Sequence, residues 1–206
     1  MAATPGPDTD QLLEAVRRGD AQARGRLLER QRPKLRRMVA VRFDRRLAAR
    51  VDPSDIVQES LLEAAARIDD YVRNRPLPFY PWLRRIAADR LADASRRHLH
   101  AGRRSVGREE PAGLPGESVM ELAERLLAPN SAPSARLRRR ERRDRVRAAL
   151  ESLPERDREV LVLRYLEDLS TEDAASVLGV GAGAVKMRLV RALQRLRDQL
   201  DEEDLS

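Results

Sequence analysis

Cysteine is absent from the 206 residues. That excludes disulfides, a cysteine-based zinc site and a thiol nucleophile. Histidine occurs only at positions 98 and 100, which argues against a histidine-rich metal site. Lysine occurs only at positions 34 and 186, so the positive charge is almost all arginine. Arginine forks suit phosphates and guanine edges, although codon bias in a GC-rich genome gives the same excess. Aromatic residues are scarce, with one Trp, three Tyr and two Phe. No apolar run approaches the length of a membrane span. The opening MAATPGPDTD has no basic segment followed by an apolar core, so it is not a signal peptide, and a cytoplasmic location is expected. There is no Gly-rich phosphate loop, catalytic triad or metal cluster, which leaves neither an enzyme nor a cofactor to be expected.

Charge is what the chain has most of. Charged residues make up 36% and hydrophobic residues 41%. This balance suits small helical units with charged surfaces rather than one large core. The net charge of +7 favours a polyanionic partner, nucleic acid or an anionic membrane surface. A basic surface that binds nothing fits the same number.

Strand signals are nearly missing. The best, VLVLRYL (Val160 to Leu166), lies inside a longer periodic pattern and reads as helix. The fold expected is all-α, with two small helical domains joined by a flexible linker. Residues 1–8 are expected to be disordered. The first domain, residues 9–101, opens near Asp10 with Leu12, Leu13 and Val16, then Leu27, Leu28, Leu35 and Val39. A further helix starts at DPSD, with Asp52 as cap and Pro53 in the first turn, and runs through Ile68. The next runs from about Pro81 to about His98. Residues 102–135 are rich in Gly, Pro and Ser and read as linker, with a short helix, SVMELAERLLA, inside it. The second domain, residues 136–203, begins with the strongly basic Arg136–Arg147 segment, which fits upstream DNA, an acidic partner or plain solvent. Pro154 opens the next helix, through about Glu167.

The second domain carries helix-turn-helix spacing. Ser170 is a good N-cap, Glu172 and Asp173 fill the first turn, and Ala175 is small enough for close helix packing. Gly179 supplies the positive φ of a tight turn. Val185 and Leu189 then point to the core. The second helix of such a motif enters the major groove. Its exposed face offers Lys186 and Arg188, early enough to reach bases or phosphates, and Arg191 and Arg195, placed for backbone contacts. An ordinary helical hairpin with solvated charges has the same pattern.

At about 100° per residue, Val57, Leu61, Ala64 and Ile68 form one buried stripe. Asp52, Asp55, Glu59 and Glu63 gather opposite, flanked by Gln58. In a basic protein this acidic face suits protein docking, or simply solvent. A carboxylate metal site fits poorly, because side chains along one exposed stripe do not converge.

The elements D-x-x-D-x-V-Q-E (from Asp52), W-L-x-R-I-A (from Trp82) and L-P-x-x-x-R-E-V (from Leu153), in that order, resemble bacterial RNA polymerase sigma factors of the extracytoplasmic-function (ECF) type. The resemblance covers roughly residues 10–100 and 145–200. It implies two helical domains, conserved regions 2 and 4. It implies that Asp52, Asp55, Gln58 and Glu59 dock on the β′ clamp helices of core polymerase. The loop and helix that follow would recognise the −10 element and capture unstacked bases. The second domain would rest near the β flap and read the −35 element through Gly183, Lys186, Arg188, Arg191 and Arg195. The partners implied are core RNA polymerase and promoter DNA, double- and single-stranded. An anti-sigma factor is compatible, and a monomer is expected when free.

Strand opening needs a pocket for an unstacked base, and aromatic faces supply about 1–3 kcal/mol of stacking per base. YVRNRPLPFYPWL has the ingredients. Asn74 and Arg75 suit a base or phosphate. Phe79, Tyr80 and Trp82 offer faces, and Arg84, Arg85, Arg90, Arg96 and Arg97 would follow the phosphates. Trp82, which opens a helix, also fits packing against Ile86. Several features depart from the family: Ala184 stands where a hydroxyl is usual and Met187 where a small polar residue is, the loop RNRPLPFYPWL is longer and richer in proline, and the Arg136–Arg147 helix is unusually charged. The rival reading is a stand-alone helix-turn-helix regulator that binds duplex DNA without polymerase. It leaves the acidic face and the aromatic loop unexplained.

Overall fold

The computed structural model describes residues 8–99, 114–127 and 136–203. The chain divides into two compact units, residues 1–110 and 111–206. Every regular element among the described residues is helical.

The first unit holds α1 (Thr9–Arg17), α2 (Ala21–Arg42), α3 (Pro53–Asn74) and α4 (Phe79–Leu99), with one 3-10 turn at Arg45–Leu47. Asp20 starts α2 by accepting from the backbone N–H groups of Gln22 and Ala23, at 2.8 and 3.0 Å. Asp52 caps α3 in the same way, accepting from Ser54 N at 2.7 Å. These bonds satisfy donors that a helix start leaves orphaned. Pro33 lies inside α2 but on its exposed side. The hydrogen bond it forfeits is outweighed by burial on the opposite side, where Leu27, Leu35 and Met38 are wholly enclosed. From α1, Leu12, Leu13 and Val16 join that core, as do Val57, Leu61, Ala64 and Ile68 from α3.

Helix α3 outruns its expected end at Ile68 by six residues, because Tyr71 and Val72 continue the buried stripe. It stops at Arg75, a non-glycine residue in the left-handed region at φ 37°. Its amide still donates to Tyr71 O at 2.7 Å. Helix α4 begins two residues earlier than expected, at Phe79.

The second unit holds α5 (Gly116–Leu127), α6 (Arg136–Ser152), α7 (Glu155–Leu161), α8 (Thr171–Leu178) and α9 (Ala182–Glu203). The expected linker at 102–135 is corrected in part. Helix α5 packs into this unit, with Val119, Leu122 and Ala123 buried. Arg125 Nη1 also donates to Tyr165 O at 2.5 Å. Residues 102–113 and 128–135 of that expectation lie outside the described residues, as do residues 1–7 of the expected disordered start. Asp8 is described and precedes α1, its amide donating to Gln11 Oε1 at 3.3 Å. Of the basic segment at 136–147, the helix is present, and Val146 is buried.

VLVLRYL is helical, as its period indicates. It widens to a π-type turn over Val162–Leu166, whose Val162, Leu163 and Leu166 are buried. The wider turn ends at Asp168, at φ 56°, and Arg164 donates to Leu169 O.

Candidate docking and nucleic-acid interfaces

In the first unit, Asp52, Asp55, Gln58 and Glu59 are all exposed along α3. Gln58 Oε1 accepts from Arg32 at 3.3 Å. Glu63, one turn further on, is half-buried and doubly paired. Its carboxylate meets Arg67 at 2.7 Å and Arg90 at 2.5 Å. Burial alone would raise the Glu63 pKa, but the two guanidinium groups more than offset that and hold it below the usual carboxylate value. Among the exposed acids sits a residue that sequence reading passed over. Leu62 is 61% exposed, and at about 100° per residue it shares the face of Asp55 and Glu59. An exposed leucine among acids offers a partner apolar area to bury beside the charges.

The aromatic loop is corrected most. Phe79, Tyr80 and Trp82 are buried, at 4%, 4% and 8% exposure. Tyr71 stacks against Trp82 with ring centres 4.5 Å apart and meets Phe79 edge-on at 5.4 Å. The rings lock the end of α3 to the start of α4 and leave no open face for a base. The Tyr71 hydroxyl donates to Leu77 O at 2.9 Å, which fixes the loop from below. The tip that remains exposed is Asn74, Arg75, Pro76, Leu77 and Pro78.

The α4 arginines divide. Arg90 is committed to Glu63, with Nε at 2.8 Å, and is corrected from a phosphate contact to an internal tie between α3 and α4. Its position on the wheel, beside Leu83, Ile86 and Ala87, is the signal that would have found this. Arg84 is half-buried and Arg85 exposed. Arg96 and Arg97 are exposed and bond locally to Asp93, the first to its carboxylate and the second to its carbonyl.

In the second unit the helix-turn-helix geometry is complete. Ser170 Oγ accepts from Asp173 N at 2.9 Å. Gly179 ends α8 at φ 64°, and Ala175 and Val185 are buried between α8 and α9. A side chain at Gly179 meets no atom within 4 Å, so only its backbone conformation demands glycine. Gly179→Ala is expected to cost about 1–2 kcal/mol. Ser170→Ala should cost about 1 kcal/mol through the lost cap. Urea unfolding followed by circular dichroism measures both. If neither moves the transition, the turn is not held as described.

On α9, Gly183, Lys186 and Arg191 are exposed and Arg188 is half-buried. Arg195 is exposed and pairs with the buried Asp157 of α7, which ties α9 to the unit's own packing. Met187 and Val190 are exposed at 52% and 46%. Among the described residues no helix is long and apolar enough to cross a membrane.

Known proteins are similar to this chain in sequence. A family model described as "Sigma-70, region 4" matches residues 143–196. The ECF RNA polymerase sigma factor SigD of Mycobacterium tuberculosis is 32% identical over 200 residues, covering 95% of this chain and 85% of that protein. The ECF RNA polymerase sigma factor ShbA of Streptomyces griseus is 32% identical over 191 residues, covering 90% and 92%. A solved structure of CnrH in complex with the cytosolic domain of CnrY aligns at a TM-score of 0.49 and 26% identity, covering 95% of this chain and 99% of that one. With the matched helix-turn-helix unit and relatives alike over almost the whole length, the chain belongs to the ECF RNA polymerase sigma factors and is a transcription initiation factor.

Proposed function

We propose that the two units divide promoter-directed initiation between them through the faces described above. The α3 face of Asp52, Asp55, Leu62, Gln58 and Glu59 docks on the β′ clamp helices of core polymerase. The Asn74–Pro78 tip and Arg84, Arg85, Arg96 and Arg97 engage the −10 region. There the buried aromatics act as the rigid seat of the loop. Preorganisation of this kind reduces the entropy lost when the loop meets a strand. Helix α9 lies in the major groove of the −35 element, with the second unit resting near the β flap.

The single observation that carries the reading is a division of charge. In a chain of net charge +7, four polar or acidic side chains line one exposed stripe of α3. Lys186 and Arg191 face solvent on α9 without an ion pair among the described residues. Oppositely charged surfaces suit different partners: a protein for the first and a polyanion for the second. An anti-sigma factor would silence the chain by covering these faces.

The test is in-vitro transcription with bacterial core polymerase on a pooled genomic template, with and without the chain. Transcripts that start at defined sites sharing two spaced elements are expected only when the chain is present. Lys186→Ala with Arg191→Ala should reduce promoter binding while leaving core binding unchanged. Tight duplex binding without polymerase, and no new transcripts, would overturn the proposal in favour of a free-standing regulator.

A further inference from the structure

The middle of the outward line of α9 is apolar where a nucleic-acid-reading helix is expected to be polar. At about 100° per residue, Gly183, Met187, Val190 and Gln194 fall on one line. It lies opposite Val185, Ala192 and Leu196, which are buried at 1%, 0% and 6% exposure. Met187 and Val190, 52% and 46% exposed, therefore stand at the centre of the free face. Lys186 lies to one side of them. Arg191 lies to the other, with Arg188 beyond it and half-buried. The cations thus sit at the margins, where phosphates run past a helix lying in a groove. The apolar pair sits in the middle, where base edges lie.

A second observation bears on depth. Helix α9 and the turn before it open with Gly181, Ala182, Gly183 and Ala184. A Cβ added at Gly181 or Gly183 meets nothing within 4 Å. The unit's own packing therefore does not require glycine at either place. What the small residues provide is an approach to the helix start unobstructed by side chains. Beyond Lys186 at the margin, Met187 is the first long side chain at the centre of that face. It lies in the N-terminal part of the helix, which is the part that contacts base edges in helix-turn-helix proteins.

We propose that Met187 and Val190 read the 5-methyl groups of thymines in the upstream promoter duplex, while Lys186 and Arg191 hold the flanking phosphates. This rests on the placing of α9 in the major groove given above. The major-groove edge of a thymine is the base edge that offers an apolar group. A thioether and an isopropyl group have no hydrogen bond to give to guanine or adenine. The flanking positive charges favour duplex DNA as occupant over a second apolar protein surface. The duplex read by α9 therefore carries thymines at one or two positions beneath these side chains. Specificity comes there from contact rather than from bidentate hydrogen bonds.

The experiment uses the holoenzyme assembled from core polymerase and the full chain. Promoters are selected from a library randomised across the upstream element. Each thymine recovered is then replaced by deoxyuridine, which removes only the methyl. The expected result is a threefold to fivefold weaker holoenzyme–promoter affinity at one or two positions, roughly the worth of one buried methyl. Met187→Ala or Val190→Ala should show that loss on thymine templates and little further loss on the matching deoxyuridine template, because each change removes one side of the same contact. No effect of deoxyuridine at any position, or losses that simply add, would overturn the proposal. Lys186→Ala with Arg191→Ala separates the two levels. If that pair weakens promoter binding while deoxyuridine does not, only the methyl reading fails. If the pair also has no effect, the placing of α9 in the groove fails with it. Both apolar residues are exposed, so an unchanged circular dichroism melting curve identifies folded variants.

Discussion

Trp82→Ala destabilises the first unit by about 3–5 kcal/mol, the range for deleting a large buried aromatic. A domain of this kind has roughly 5–15 kcal/mol of stability in total, so the variant is left near its unfolding threshold. The size of the effect follows from what the ring touches. Trp82 is 8% exposed and lies against both Tyr71 and Phe79. Each such aromatic pair adds about 0.5–1.5 kcal/mol beyond the area it buries. The cluster also joins two helices across a short exposed loop, so losing it frees both the end of α3 and the start of α4. Phe79→Ala, at 4% exposure, should behave alike. Urea unfolding of the full chain, followed by circular dichroism, would show the first unit's transition moved to lower denaturant and the second unit's unmoved. A chain that melts like the parent, yet opens promoters poorly, would return these rings to a direct role on DNA.

The same ring cluster shows where a sequence stops being readable. A stretch dense in aromatics, proline and arginine has the composition of a stacking platform and equally that of a rigid corner in a small core. Composition carries no direction, and only the packing of α3 on α4 decides which way the rings turn. Where one helix settles a side chain, the sequence sufficed. Leu12, Leu13 and Val16, the α3 stripe, the Ser170 cap and the Gly179 turn each depend on neighbours within a few residues, and each is found as its spacing indicates. Where the partner is remote, it did not. Arg90 finds Glu63 across 27 residues and Arg195 finds Asp157 across 38. Both therefore read as free cations until the helices are placed. Helix α5 was legible as a helix but not as part of the second unit, because Pro- and Gly-rich segments bracket it and its buried face is completed only by α6 and the Val162–Leu166 turn. Leu62 was legible on the same wheel that gathers Asp55 and Glu59, and Met187 stood out only as a departure from the family's usual small polar residue; the structure adds that both are exposed.

Asp55→Lys combined with Glu59→Lys is expected to weaken binding to core polymerase by about a hundredfold or more while costing the first unit no more than about 1–2 kcal/mol, mostly from reversing the Asp55 charge in the first turn of α3. The two positions are chosen because both are exposed and neither acid is the residue that caps α3. Asp52 is that residue, with its bond to Ser54 N at 2.7 Å. Its replacement would mix a lost cap, worth about 1 kcal/mol, with any loss of docking. Gln58 and Glu63 are similarly engaged with Arg32 and with Arg67 and Arg90. Leu62→Ala supplies an uncharged control on the same stripe. At 61% exposure it contributes little to folding, but a leucine fully buried in a contact contributes about 1.5–3 kcal/mol, much of which truncation to alanine removes. Charge reversal should act mainly on the rate of association and grow weaker as salt rises, whereas truncating Leu62 should act on dissociation and vary little with salt. Association and dissociation rates measured at two salt concentrations separate these contributions. Unchanged core affinity in both variants, with folding intact, would move the polymerase contact off α3.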